Sequence, residues 1–143
     1  MRYMMVMIPA VYQGKKGRKT GMNFTPEAED VARMTRYNEE LAKAGALISL
    51  EGLHPPVAGA RIVFKDGITE VDRSGVESRN VLGGYWMIQA GSLEEAVEWA
   101  RRVPARDGDV IEVRQVFETT EFSKEAQKAG ESAIVREQIK KTA

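Results

Sequence analysis

The sequence predicts an α+β domain: an antiparallel sheet with its helices gathered on one side. Three observations carry this. Apolar and β-branched runs alternate with two segments of helical periodicity, in the order strand, helix, strand, hairpin, strand, helix, strand. An Asp66-Gly67 pair sits between two β-rich runs, the pattern of a two-residue hairpin turn. The length, 143 residues, suits one domain large enough to bury a hydrophobic core.

Tyr3-Met4-Met5-Val6-Met7-Ile8 is apolar on both strand faces, as in a central strand, and Pro9 ends it. With Arg2 ahead of it, this opening has the look of a short signal peptide. Its length and its fit to a first strand favour the strand. Residues 13–21, rich in glycine and lysine, read as a solvated loop. They lack the Gly-Lys-Ser/Thr ending of a phosphate-gripping P-loop.

Thr25-Pro26-Glu27 is expected to open the first helix, with Thr25 as cap and Pro26 in the first turn. Val31, Met34, Leu41 and Ala44 would face the core, and Gly45 would close the helix. A strand over residues 46–53 should then set Leu47, Ser49, Glu51 and Leu53 on one face, and Ile48, Leu50 and Gly52 on the other. Two prolines stop it, so His54, the only histidine, is expected on a stiff loop at a strand exit.

After the hairpin, residues 72–81 read as a polar loop and residues 84–90 as an aromatic-rich strand. Ser92-Leu93-Glu94-Glu95 is a capping box for a second helix, with Leu93, Ala96, Val97 and Ala100 as its buried stripe. The last strand, residues 110–116, would point Ile111 and Val113 one way, Glu112 and Arg114 the other. Residues 122–142 are expected to add one mostly polar helix with a thin stripe interrupted by Gly130. Such a helix is marginal alone and should pack on the domain or on a second subunit.

Composition excludes several function classes. Lys plus Arg and Asp plus Glu number 21 each, so no strong field draws the chain to nucleic acid or anionic lipid. The Lys15-to-Lys19 stretch has no interleaved aromatics for single-strand binding. With no cysteine there is no disulfide, thiolate metal site or thiol nucleophile. No apolar run approaches the roughly 18 residues of a membrane span. A soluble, cytoplasmic protein without cofactor or metal is the expectation.

The element order follows the ferredoxin-like plan, elaborated here to β-α-β-β-β-α-β. Two helices cover one face of such a sheet. The other would carry Glu51, Leu53, Glu112 and Arg114 with Tyr or Met residues of neighbouring strands. A half-apolar bare face is usually covered by a second copy, so a homodimer is expected.

Glu51-Gly52-Leu53-His54-Pro55-Pro56, Asp72 leading through Glu77 and Arg79 to Leu82-Gly83-Gly84-Tyr85, and Glu98-Trp99-Ala100, Pro104 and Glu112-Val113-Arg114 resemble the YCII-related family, in its DGPF-type branch. The likeness spans residues 1–117, taken as the domain, with residues 118–143 as an extension. It implies ferredoxin-like subunits pairing into a dimeric α/β barrel, and a pocket using a histidine and an aspartate. Those fall on His54 and Asp72. Where the branch has Asp-Gly-Pro-Phe, this chain has Asp72-Arg73-Ser74-Gly75, keeping the acid and losing the tight turn and the ring.

The chemistry open to these residues is modest. A carboxylate bonded to one ring nitrogen fixes the histidine tautomer and makes the other nitrogen a stronger base, so His54 with Asp72 would suit acid–base catalysis without a cofactor. Arg114 needs a partner. Glu112 or Glu51 would make it a structural ion pair, and a substrate carboxylate or phosphate would make it an anchor. Tyr3 and Tyr85 would orient a ligand through their hydroxyls, or simply fill the core. Two readings stand: a small-molecule-binding barrel with His/Asp catalysis, and a non-catalytic regulatory dimer that binds a metabolite or a protein.

Overall fold

The computed structural model describes residues 1–21, 23–73 and 80–142, without the side chains of residues 17–19. Strand β1 (Arg2–Ile8) leads through a 3-10 turn to helix α1 (Gly14–Lys19), then α2 (Ala28–Lys43) and β2 (Leu47–Gly52). The hairpin β3 (Arg61–Lys65) and β4 (Ile68–Asp72) follows, then β5 (Gly84–Gln89), α3 (Leu93–Arg101) and β6 (Val110–Gln115). Two short helices, α4 (Lys124–Ala129) and α5 (Ala133–Thr142), end the chain.

The main sheet is antiparallel in the order β2-β5-β1-β6. β5 lies between β1 and β2, the split β-α-β arrangement of the ferredoxin-like fold. The hairpin is a separate two-stranded sheet. Its turn takes positive φ at Asp66 (51°) and Gly67 (74°), as a two-residue hairpin of this twist requires.

Cross-strand pairing assigns the faces. Tyr3, Met5, Trp86 and Ile88 are buried on the helix side with Tyr37 and Leu41 of α2 and Ala96 of α3. Ile111 and Val113 of β6 pack against this core. Tyr37 donates its hydroxyl to the Trp99 carbonyl (2.9 Å) and meets Trp86 edge to face. Those contacts, and not Val31 or Ala44, fix the buried side of α2, since Val31 is 49% exposed and Ala44 is exposed. Likewise α3 buries Ala96 and leaves Leu93 and Val97 open.

Other local expectations are corrected. Residues 14–19 form a helix, whose end Thr20 holds by donating to the Lys16 and Val11 carbonyls. Helix α2 starts later than predicted. Extended backbone continues through Glu27 at the N-cap, with no side-chain cap, and Glu29 and Asp30 occupy the first turn. Its other end is as expected: Gly45 at φ 70° lets Gly45 N–H reach the Ala42 carbonyl and Ala46 N–H the Leu41 carbonyl. In β2 an irregularity between Leu47 and Ser49 shifts the alternation, so Leu47 faces the core together with Leu50. At α3, Ser92 Oγ accepts from Glu95 N–H, while the Glu95 carboxylate takes the Gly91 N–H instead of that of Ser92. The C-terminal helix is two helices, because Gly130 ends α4.

Candidate functional site

The face of the sheet away from the helices carries two cross-strand rows. Glu51, Tyr85, Val6 and Glu112 stand side by side across β2, β5, β1 and β6. Ser49, Met87, Met4 and Arg114 form the next row. The two central strands contribute apolar side chains and a phenol, and the two edges contribute the charges. Four strands spaced about 4.8 Å apart put the β2 and β6 edges roughly 14 Å from each other. Glu51 and Arg114 therefore stand at opposite edges of one subunit. Arg114 instead lies 3.8 Å from Glu112, a loose pair with 78% and 52% of the two side chains exposed.

Tyr3 is on the other face. It is 2% exposed, its ring is part of the core, and its hydroxyl approaches only the Met1 sulfur at 3.8 Å. The register explains this, since Tyr3 is opposite Ile88 and Gln115 on strands whose alternation matches its own. It does not join Glu51, Tyr85 and Arg114.

His54 is exposed, and its neighbours hold it in place. Leu53 N–H donates to the Gly83 carbonyl (2.9 Å), the Leu53 carbonyl accepts the Tyr12 hydroxyl (3.0 Å), and Pro55 is fully buried. Burial raises the Tyr12 pKa, which keeps that phenol protonated and donating. Gly83 N–H donates in turn to the Met7 carbonyl, and Gln13 bridges the Pro9 carbonyl to both backbone groups of Val81. Neither glycine of the seam has room for a side chain. A Cβ on Gly83 would lie 2.5 Å from Pro9 Cγ, and one on Gly84 2.6 Å from the Glu51 carbonyl oxygen.

Asp72 ends β4 opposite Arg61 and is half-buried. Among the described residues no hydrogen bond or ion pair joins it to His54. Ser74, Gly75, Glu77 and Arg79, which follow it in the chain, lie outside the described residues.

On the helix side of the same sheet end, a small cavity of about 160 Å³ opens between α2 and the sheet, lined by Met7, Met34, Asn38, Leu50, Gly84 and Trp86. Asn38 Oδ1 accepts the Trp86 indole N–H there (2.8 Å). A wider cleft of about 520 Å³ shares Met7 and Met34 and reaches Lys16, Phe24, Asp30 and Arg106. Asp30 is bonded by Arg106 and Arg33, which hold its carboxyl below the usual range. Tyr12, Gln13 and Asn38, each of which bonds a partner distant in the chain, carried no signal in the sequence. Only the Asp30 charge in a helix first turn had a local signal.

A family model described as the YCII-related domain matches residues 1–120. The chain belongs to the YCII-related family. No curated protein matches it. Within this YCII-related chain no helix among the described residues is long and apolar enough to cross a membrane. Nor do three or more His, Asp or Glu side chains gather there as a metal site.

Proposed function

We propose that this YCII-related chain works as a homodimer whose open sheet faces meet and enclose a small polar organic molecule. The observation that supports it is the paired rows. An apolar centre of Met4, Val6 and Met87 is flanked by Glu51, Tyr85, Glu112 and Arg114, a surface suited to a twin and to a ligand with charged groups. A second sheet facing the first brings charged edges together that one subunit keeps apart. Arg114 then anchors a carboxylate or phosphate, and Glu51 and Tyr85 orient the rest.

In this reading His54 and Asp72 supply acid–base chemistry, with the imidazole as the proton acceptor. Support comes from the fixed backbone on both sides of His54 and from an exposed ring that no described side chain engages. Contact with the Asp72 carboxylate would come through the hairpin strand that ends at it. The domain proper is residues 1–117, and cytoplasmic residence without a cofactor goes with the same reading.

The test is sedimentation at micromolar concentration, together with thermal shift against a panel of small carboxylates and phosphate esters. A dimer, and a ligand shift lost in Arg114→Ala, are expected. A monomer would overturn the proposal. The alternative, a non-catalytic regulatory dimer, draws on the exposed Ile134, Val135 and Ile139 of α5. A wild-type ligand shift that survives unchanged in His54→Ala, with no turnover of any shifting compound, would favour it.

A further inference from the structure

Helix α1 has the sequence Gly14-Lys15-Lys16-Gly17-Arg18-Lys19, four basic residues in six with no acid in its first turn. Local physics is against it. A six-residue segment with two glycines is too short and too poor in helix formers to persist on propensity. Lys15 and Lys16 also put positive charge in the first turn, where the helix dipole is already positive. Neither lysine makes an ion pair among the described residues. A segment that breaks local rules and is nevertheless held in place is where a site is expected.

The hold is tertiary, and it runs through the His54 loop. Thr20, only 8% exposed, donates its hydroxyl to the Lys16 and Val11 carbonyls and secures the far end of the helix. At the near end Gly14 takes φ 52°, and Gln13 before it is tied to Pro9 and Val81. Tyr12 donates its hydroxyl to the Leu53 carbonyl, one residue before His54. Past His54, the turn Pro56–Ala58 packs against α1 itself. The loop that carries the imidazole is thus joined to α1 or its lead-in on both sides. Arg114, by contrast, is on β6, at the opposite edge of the sheet from β2.

We infer that Lys15 and Lys16 hold the phosphate of a small phosphate monoester on which His54 acts. The inference rests on the His54 role proposed above and adds an anchor at that residue's own edge of the sheet. The grip comes from two ammonium side chains, which suit a group that is nearly doubly charged at neutral pH. Of the acids that share the wider cleft with Lys16, Asp30 is bonded to Arg33 and Arg106. Asp109 accepts the Ala10 and Arg106 backbone N–H groups, which leaves Glu27 and Asp107. A small molecule is favoured over a polymer, because 21 basic and 21 acidic residues give the chain no net charge to draw a nucleic-acid backbone.

His54 is the only histidine, so its imidazole gives a single NMR signal that needs no further assignment. The full-length chain is titrated with inorganic phosphate at fixed pH and ionic strength, with chloride as the reference ion. A saturable shift of that signal is expected with phosphate, and a non-saturating one with chloride. Lys15→Gln together with Lys16→Gln should weaken the apparent phosphate affinity about tenfold or more at an unchanged melting temperature. Lys140→Gln together with Lys141→Gln removes the same charge from α5 and should leave the affinity as it was. Arg114→Ala should also leave it, which separates this anchor from the sheet-face proposal, whose failure is read from the sedimentation mass. The signal reports binding beside the imidazole, so it does not depend on turnover. No saturation with phosphate, saturation that survives the Lys15/Lys16 change, equal weakening by the Lys140/Lys141 change, or loss in Arg114→Ala would each overturn the inference. So would a stronger response to single-stranded oligothymidylate than to phosphate.

Discussion

Glu51 and Tyr85 stand opposite each other in the register of β2 and β5, on the sheet face turned away from the helices. Val6 and Glu112 continue the same row across β1 and β6. Apolar side chains at the centre of that face, with charges at its edges, have the layout of an interface core and rim. Met87→Arg puts a charge in the middle of the face, next to Met4. Under the proposed sheet-to-sheet pairing, the expected outcome is a mass that falls from dimer to monomer in sedimentation. Thermal unfolding should remain cooperative, because the core side of β5 is untouched. An unchanged dimer mass would remove the sheet face as the pairing surface.

Gly84 marks a close approach of β5 to β2. A Cβ there would lie 2.6 Å from the Glu51 carbonyl oxygen and 3.3 Å from Gly52 Cα, both backbone atoms that cannot swing aside. Gly84→Ala must push β2 from β5, at a cost on the order of 1–3 kcal/mol typical of overpacking. Gly52→Ala is the control. It meets nothing within 4 Å, so its urea midpoint should stay near wild type. Equal midpoints for the two variants would contradict the close approach.

Asn38 holds the indole of Trp86, which is only 5% exposed. Asn38→Leu leaves that N–H without its acceptor, and an orphaned buried donor costs about 1–3 kcal/mol. Urea unfolding followed by tryptophan fluorescence should show the loss. Full stability in Asn38→Leu would mean that water replaces the amide.

How much of this was legible in the sequence depends on the range of the interactions. The hairpin turn was legible because Asp66-Gly67 needs positive φ, a property of two adjacent residues. The C-terminal end of α2 was legible for the same reason, through Gly45. The stripe of α2 was not, because Tyr37 is drawn inward by Trp86 and the Trp99 carbonyl, partners from another layer. The phase of β2 was lost at its irregularity near Leu47, which a strict two-residue period cannot register. For the site, the strand exit at His54 was readable from Pro55 and Pro56. The Tyr12 and Gly83 anchors that fix it were not, being set by tertiary folding. Tyr3 shows the limit of composition: a tyrosine in a central strand looks the same whichever face it takes.

Acid should weaken the tie between α2 and the loop after α3. Asp30 accepts from Arg106 and from Arg33, and these bonds lower its pKa in the folded chain. A carboxyl depressed on folding adds stability above its unfolded pKa, about 3.9, and loses it as pH falls through the folded value. The Tm difference between wild type and Asp30→Asn should therefore hold from neutral pH to about 5 and shrink below about 4. The pair is solvent-accessible, so added salt should narrow the difference as well. A difference that grows on acidification would contradict the assignment.

His54→Ala separates function from scaffold. The imidazole is exposed, while the backbone around it is held by the Leu53 bonds and the buried Pro55 ring, none of which the substitution touches. Stability should then change by no more than about 0.5 kcal/mol, the range of surface replacements. Under the proposed acid–base role, any activity found for the wild type should fall by roughly 10²–10⁴-fold. His54→Asn distinguishes the two ring functions. It restores a hydrogen-bond partner but cannot shuttle a proton near neutral pH, so it should recover ligand affinity without turnover. Turnover restored to wild-type rate in His54→Asn would show that the ring acts by positioning, and a cooperative loss of folding in His54→Ala would make it scaffold.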